Sequence, residues 1–440
     1  MSRPSTEAGR ADERYRRAAL SVVANALGKI LSLALMLVSI PLTLEYLGAE
    51  RFGIWMTVAS FSALVGFLDL GIADSLRNNV SYAAARHDPA RLRELVTNGL
   101  LLLLAAGTLA GLALAGVAWL APWPSLVKLD DAALYQEVQR SALTFAVLFA
   151  IGIVSSGIQR IFLGLQEGYV VHGLSAFGSC VSLLLLVPLT QSEAGIPALI
   201  LATYGIQVLA PLALLPRMAQ RGLLGFRASR FNADAGLLLK AGLVFFGLQI
   251  GWMAGWGSDR LIVSSVLGAK DVAVLAVVAQ LFQLVTQPFA FANGPLWSAY
   301  AHALEQSDNR FIRRTLGYSV SLTFLASLLC AAALLLAHPA ILRAWIGHEL
   351  LVPFGLVLAL AALSVFQSVG DAFAMYLNGT GILRPQLHVV LLFCLLAIPL
   401  KLLLTPLVGV AGVVLASLIA YSLAVALPYG TFYRSTWATS

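Results

Sequence analysis

Twelve runs of apolar residues, each about long enough to cross a bilayer, divide this 440-residue chain. A span needs about 20 such residues, because hydrocarbon offers backbone N–H and C=O groups no partner outside their own helix. Cut where polar residues, proline or glycine interrupt them, the runs fall near 18–44, 52–73, 95–120, 141–163, 169–190, 196–216, 237–267, 272–297, 315–337, 351–377, 385–405 and 410–433. Charged residues make up 11% of the chain against roughly 25% in soluble domains. The fold class that follows is all-α integral membrane, with about 12 transmembrane helices.

The runs are not independent. Tyr46-Leu47-Gly48-Ala49-Glu50 returns 220 positions later as Val266-Leu267-Gly268-Ala269-Lys270, at the same point between two runs, and Val58-Ala59 returns as Val278-Ala279, with Ile54 falling on Val274. In a polytopic chain such an offset predicts two six-helix lobes, as in a transporter whose halves rock about a shared cavity. The expected organisation is a tail at 1–17, a first lobe at 18–216, a linker at 217–236, a second lobe at 237–433 and a tail at 434–440.

Basic residues set the orientation, since they resist translocation. With both termini cytoplasmic, all but eight of the 28 lysines and arginines fall in cytoplasmic tails and loops, the eight being Lys29, Arg51, Lys128, Arg140, Arg260, Lys270, Arg343 and Lys401. The net charge of +7 therefore suits anionic headgroups on one face and points to membrane lipids, with no nucleic acid as partner. Cys180, Cys330 and Cys394 lie inside apolar runs without a pairing pattern, and the six histidines show no ligand spacing, so neither a disulfide nor a metal nor another cofactor is expected. Loops are short, the longest near 217–235 inside and 121–140 outside, the latter with Trp123, Leu134 and Tyr135 as an interfacial helix or an ordinary loop. No soluble catalytic domain fits, and an enzyme is not expected.

Polar residues inside the runs carry the functional signal, because a charge at the bilayer centre costs about 2.5–3.5 kcal/mol on insertion scales. In the first run Asn25, Lys29, Ser32, Met36, Ser39 and Thr43 share one helical face. The seventh carries Gln249, Trp256, Arg260 and Ser264, the eighth Gln280, Gln283 and Gln287, and the tenth Ser364, Gln367, Asp371, Met375 and Asn378, each on one face. The plain alternative is that such groups only bond helix to helix. That serves the serines, threonines and glutamines well. It serves Lys29 and Arg260 less well, although either could pair with Asp259 or Asp371. Lys401 and Arg51 lie near outer ends, where snorkelling or headgroup contact is the default. If the four stripes line one cavity, its basic component suits anionic cargo, a diphosphate above all, with glutamine, serine and tryptophan for sugar hydroxyls and ring faces.

Three stretches add a resemblance. Tyr46-Leu47-Gly48-Ala49-Glu50-Arg51-Phe52-Gly53-Ile54-Trp55 with Leu68-Asp69-Leu70-Gly71-Ile72, then Gly294-Pro295-Leu296-Trp297-Ser298-Ala299-Tyr300-Ala301 with Asp308 and Arg313-Arg314, then Leu377-Asn378-Gly379-Thr380-Gly381-Ile382-Leu383-Arg384-Pro385-Gln386 occur in that order. Together they resemble bacterial polysaccharide transporters, the O-antigen-type flippases of lipid-linked oligosaccharides within the superfamily of multidrug, oligosaccharidyl-lipid and polysaccharide exporters. The resemblance implies a MATE-like fold and alternating access in the bacterial inner membrane. It also implies a cargo of undecaprenyl-diphosphate-linked oligosaccharide for surface polysaccharide synthesis, with a polymerase and chain-length machinery as partners. Lys29, Arg51 and Arg260 would hold the cargo, with Asn25, Gln249, Trp256, Gln283 and Gln287 around it. In their plain reading Gly48, Gly53 and Gly71 serve turns and close approach, and Asp69 braces the end of the second run. The competing class is a cation-coupled multidrug antiporter of the same fold, in which Asp259 and Asp371 would couple transport to an ion.

Overall fold

A computed structural model describes residues 20–21, 23–24, 26–28, 31, 42–43, 45–47, 51, 69–120, 132–192, 194–225, 231–346 and 352–431. Among them there is no strand. The helices are α1 (Ile72–Ala85), α2 (Pro89–Leu120), α3 (Ala132–Gly164), α4 (Gly168–Thr190), α5 (Ile196–Gln220, with a π turn at Leu201–Gly205), α6 (Phe231–Val266), α7 (Ala269–Asn293), α8 (Leu296–Glu305), α9 (Asn309–Ile346), α10 (Phe354–Gly379), α11 (Leu383–Val408) and α12 (Val410–Tyr421, continued by a π turn at Ser422–Ala426). Ten helices among the described residues are long and apolar enough to cross a membrane, and they coincide with the third to twelfth runs of the sequence. Most of the first two runs, with Asn25, Lys29, Gly48 and Gly53, lies outside the described residues.

Two boundaries differ from the sequence expectation. Leu134 and Tyr135 belong to α3, which starts at Ala132, so they extend a span helix and are not loop. The segment after Asp69 is the helix α1, with Ile72, Leu76 and Val80 repeating every four residues and buried. Its Ser75, Arg77, Asn78 and Ser81 are buried as well, so it is amphipathic without a solvated face. Gly71 opens it at φ 69, a left-handed conformation suited to glycine, and its N–H donates to Asp69 Oδ1 at 2.9 Å.

Contacts divide the chain into two compact units, 1–245 and 246–440, with the division inside α6. In the first unit α2 and α3 pack closely because Gly107 and Gly111, four apart, leave room for Ala150: a Cβ on either would fall 2.6 Å from the Ala150 carbonyl oxygen or 2.7 Å from its Cβ. One end of this unit is tied by charge. Arg217 and Arg221 hold Glu167 at 3.1 and 2.7 Å, Arg160 holds Asp74 at 3.0 Å, and Arg93 donates to the Gly222 carbonyl at 2.7 Å. Asp234, on the first turn of α6 and 1% exposed, takes Arg91 and Asn98 of α2, each at 2.7 Å.

The 220-residue offset is visible within each unit. α1 ends in a turn with His87 at φ 55, and Asp88 then accepts the Arg91 N–H at 2.9 Å to open α2. α8 ends in the same turn with Ser307 at φ 54, and Asp308 accepts the Phe311 N–H at 3.0 Å to open α9. Gly164, ending α3, would place a Cβ 2.7 Å from the Arg77 carbonyl, and Gly379, ending α10, 2.4 Å from the Trp297 carbonyl. Arg77 and Trp297 are 220 residues apart. At Gly379 two of the stretches that carry the family resemblance therefore touch.

Two outcomes follow. Gly379→Ala drives a methyl into a backbone carbonyl and lowers stability by about 1–3 kcal/mol, read as a fall in Tm of the purified protein in detergent. Asp234→Ala leaves the Arg91 and Asn98 donors without their acceptor, at a cost of about 1–3 kcal/mol in the same measurement.

Candidate functional site

The second unit holds a half-open cavity of about 460 Å³ between α6, α7, α10 and α12. Its orientation starts with α6. Gly251 and Gly255 press against α11, where a Cβ would fall 2.3 Å from Val390 and 2.5 Å from Phe393. With that face of α6 closed, Trp256, Gly257, Asp259 and Arg260 reach the cavity. α7 contributes Gln283 and Thr286, and α10 contributes Ser364 and Gln367, on a wall completed by Leu275, Phe282, Leu360 and Val414. Three of the four polar stripes thus meet in one space. The fourth, with Asn25 and Lys29, lies outside the described residues.

The polar groups differ in what they can offer. Ser364 donates to the Ala361 carbonyl at 2.8 Å, so towards a ligand only its lone pairs remain. The side-chain amides of Gln283 and Gln367 have no hydrogen-bond partner among the described residues. Arg260 is exposed and forms no ion pair among them. Trp256 stacks on Trp252 with centroids 6.1 Å apart and 7° between planes, and leans on Phe393 at 4.9 Å and Tyr421 at 5.9 Å, which holds its ring fixed at the wall.

Asp259 is already engaged. Its Oδ1 lies 2.5 Å from the ammonium of Lys401, which also donates to the Gly255 carbonyl and to Ser258 Oγ at 3.2 Å. The partner of Asp259 is therefore Lys401 of α11, and Lys401 does not snorkel: its side chain is 0% exposed. The pattern was present in the sequence, since Phe393, Ala397, Lys401 and Thr405 are spaced by four and all are buried.

The other candidates lie elsewhere. Gln249 is half-buried on α6, and Gln287 exposed on α7, both outside the cavity wall. Asp371 sits on α10 one turn beyond Gln367, off the cavity wall and within electrostatic reach of Tyr421 and Tyr429. Arg51, in the first unit, is ion-paired with Glu137, whose Oε1 also accepts the Ile196 N–H at 2.7 Å, so it braces three segments. A second cavity of about 410 Å³ between α9, α10 and α12 has Tyr421 and Tyr429 as its only side chains with a hydroxyl.

The MatE family model matches residues 258–403, a stretch that begins beside Asp259 and Arg260 and ends just past Lys401. A curated relative, the "Putative O-antigen export protein" of Yersinia pseudotuberculosis, is 22% identical over 373 residues, 83% of this chain and 84% of that protein. Among solved structures, a point-mutant form of the Vibrio cholerae MATE transporter VcmN superposes with a TM-score of 0.82 at 13% identity, over 98% of both chains. A transporter of the MOP superfamily from Pyrococcus furiosus, described as having reverse polarity of its binding pocket, gives a TM-score of 0.76 at 15% identity over 96% of both chains. The chain has the 12-helix fold of MATE transporters.

If the cavity is open to water, a cysteine placed on its wall must react where one in the aromatic cluster does not. In a background lacking the three native cysteines, Gln283→Cys is expected to label with a water-soluble maleimide and Phe393→Cys, at 0% exposure, to remain unlabelled.

Proposed function

We propose that the chain is a flippase of the inner membrane that moves an undecaprenyl-diphosphate-linked oligosaccharide from the cytoplasmic to the outer face by alternating access. The observation that carries this reading is the charge of the cavity. Asp259 is neutralised by Lys401, so among the described residues Arg260 leaves one positive charge uncompensated beside two glutamine amides and a fixed tryptophan face. Guanidinium is planar and always charged, and pairs with phosphate oxygens through two parallel hydrogen bonds. The volume of about 460 Å³ lies within the ~300–1,000 Å³ of small-molecule sites, enough for a diphosphate and its first sugar and too little for a whole oligosaccharide. The rest of the glycan and the prenyl tail would lie outside this cavity, the tail in lipid. The name of the Yersinia relative agrees with such a cargo.

Transport of an anion outward runs with a membrane potential that is negative inside, by about 2.3 kcal/mol per charge per 100 mV. Lys29 and Asn25, on the first-run stripe, are proposed as further contacts.

A second reading is favoured by one observation. Asp371 is a carboxylate within a span helix and forms no ion pair among the described residues, which suits the ion-coupling role in a cation-driven multidrug antiporter.

The deciding experiment measures which face of the membrane holds the lipid-linked oligosaccharide in cells depleted of this protein, using a periplasmic sugar-modifying probe. Wild type is expected to restore outward exposure, and Arg260→Ala to reduce its rate at least about tenfold, as for loss of a charge-assisted contact, with unchanged insertion. Unchanged sidedness on depletion, together with efflux of a cationic dye, would transfer the assignment to the antiporter.

A further inference from the structure

Lys401 lies behind the cavity wall and is not among its lining residues. An ammonium has three donors; here the Gly255 carbonyl and Ser258 Oγ accept from it, and the Asp259 carboxylate lies against it as an ion pair. With its side chain fully buried and absent from the cavity lining, Lys401 does not meet a ligand at the wall. What Lys401 changes in the cavity is therefore electrostatic. Asp259 stands on the wall next to Arg260. Were its carboxylate uncompensated, it would cancel the charge of Arg260 and offer cations a ligand.

We infer that Lys401 is a specificity-determining residue: by neutralising Asp259 from behind the wall it sets the sign of the cavity, so that the site accepts anionic headgroups and rejects cations. The identity of the anion, a prenyl diphosphate, rests on the flippase reading. The sign of the cavity rests only on the placement of Asp259, Arg260 and Lys401. A merely structural pair, pinning α6 to α11, would be damaged alike by removal of either partner and would weaken both probes together, whereas a sign-setting pair moves the two probes in opposite directions.

The test uses the full chain in nanodiscs and equilibrium binding of two probes, geranylgeranyl diphosphate and tetraphenylphosphonium. Lys401→Met is expected to bind the diphosphate about tenfold more weakly than wild type and to gain affinity for the cation, as for the change of one charge at close range. The double variant Lys401→Met, Asp259→Asn restores the wild-type preference on both probes, because Arg260 is again uncompensated. Asp259→Asn alone binds the diphosphate at least as tightly as wild type.

A double variant that fails to recover, or a Lys401→Met that weakens both probes equally, overturns the inference. If Lys401→Met does not fold, Asp259→Asn decides: retained or tighter diphosphate binding supports the inference, and a loss overturns it. If wild type binds no prenyl diphosphate, the cargo reading fails by itself, and the cation arm alone judges the sign of the cavity, by gain in Lys401→Met and reversal in the double variant.

Discussion

Hydrocarbon removes the force that builds soluble cores: an apolar side chain gains nothing by turning from a lipid tail to another helix, so helices associate where backbones approach closely or polar groups bond across. The chain is arranged accordingly. Leu120, Leu336 and Leu407 are 80%, 83% and 73% exposed, as side chains facing lipid can be. Contacts are made instead at Gly107 and Gly111 between α2 and α3, at Gly251 and Gly255 between α6 and α11, and through polar bridges such as Asn293 of α7 with Ser319 and Thr323 of α9, at 2.7 and 3.1 Å. The same rule places charge. Buried Lys401 is satisfied by named neighbours, and beside it Arg260, exposed and without an ion pair among the described residues, becomes informative.

The spans were legible because length and apolarity fix them, and ten of them fall where the runs lie. The repeat was legible as well, and its structural form is sharper than its sequence form. His87 and Ser307 share a left-handed turn, Asp88 and Asp308 share a capping role, and π turns begin at Leu201 and Ser422, within one residue of the 220-residue offset, although the residues at these positions mostly differ. Backbone geometry has kept what side-chain identity has lost. A π turn inserts one residue into a helix and is retained chiefly where it serves packing or function.

The site was legible in part, and the failures share a cause. Stripes run the length of each helix, but the cavity takes only part of each, about three turns of α7 and two of α10, so Gln283, Ser364 and Gln367 line it while Gln287 and Asp371, a turn further on, do not. Lys401 was placed by its nearness to a helix end, where snorkelling is cheap. Rotational phase decides instead: with Phe393, Ala397 and Thr405 it occupies the one buried face of α11, and from there its stem cannot reach the interface. α1 escaped notice because its polar residues read as loop, whereas neighbouring helices bury them.

A buried ion pair seldom stabilises more than apolar side chains of the same volume would, because desolvation consumes most of the attraction. Its value lies in geometry. Successive residues on a helix point about 100° apart, so tying Asp259 to α11 through Lys401 fixes the rotation of α6 and with it the direction of Arg260. The glycines at 251 and 255 allow α11 close enough for Lys401 to reach Asp259, and the stacked Trp252 and Trp256 hold the adjacent wall. Close approach, ion pair and exposed guanidinium form one chain of dependence. When both partners are replaced, the close approach at the glycines and the stacked rings still hold that rotation, so the aim of the charge survives, whereas loss of Lys401 alone leaves a bare carboxylate beside it.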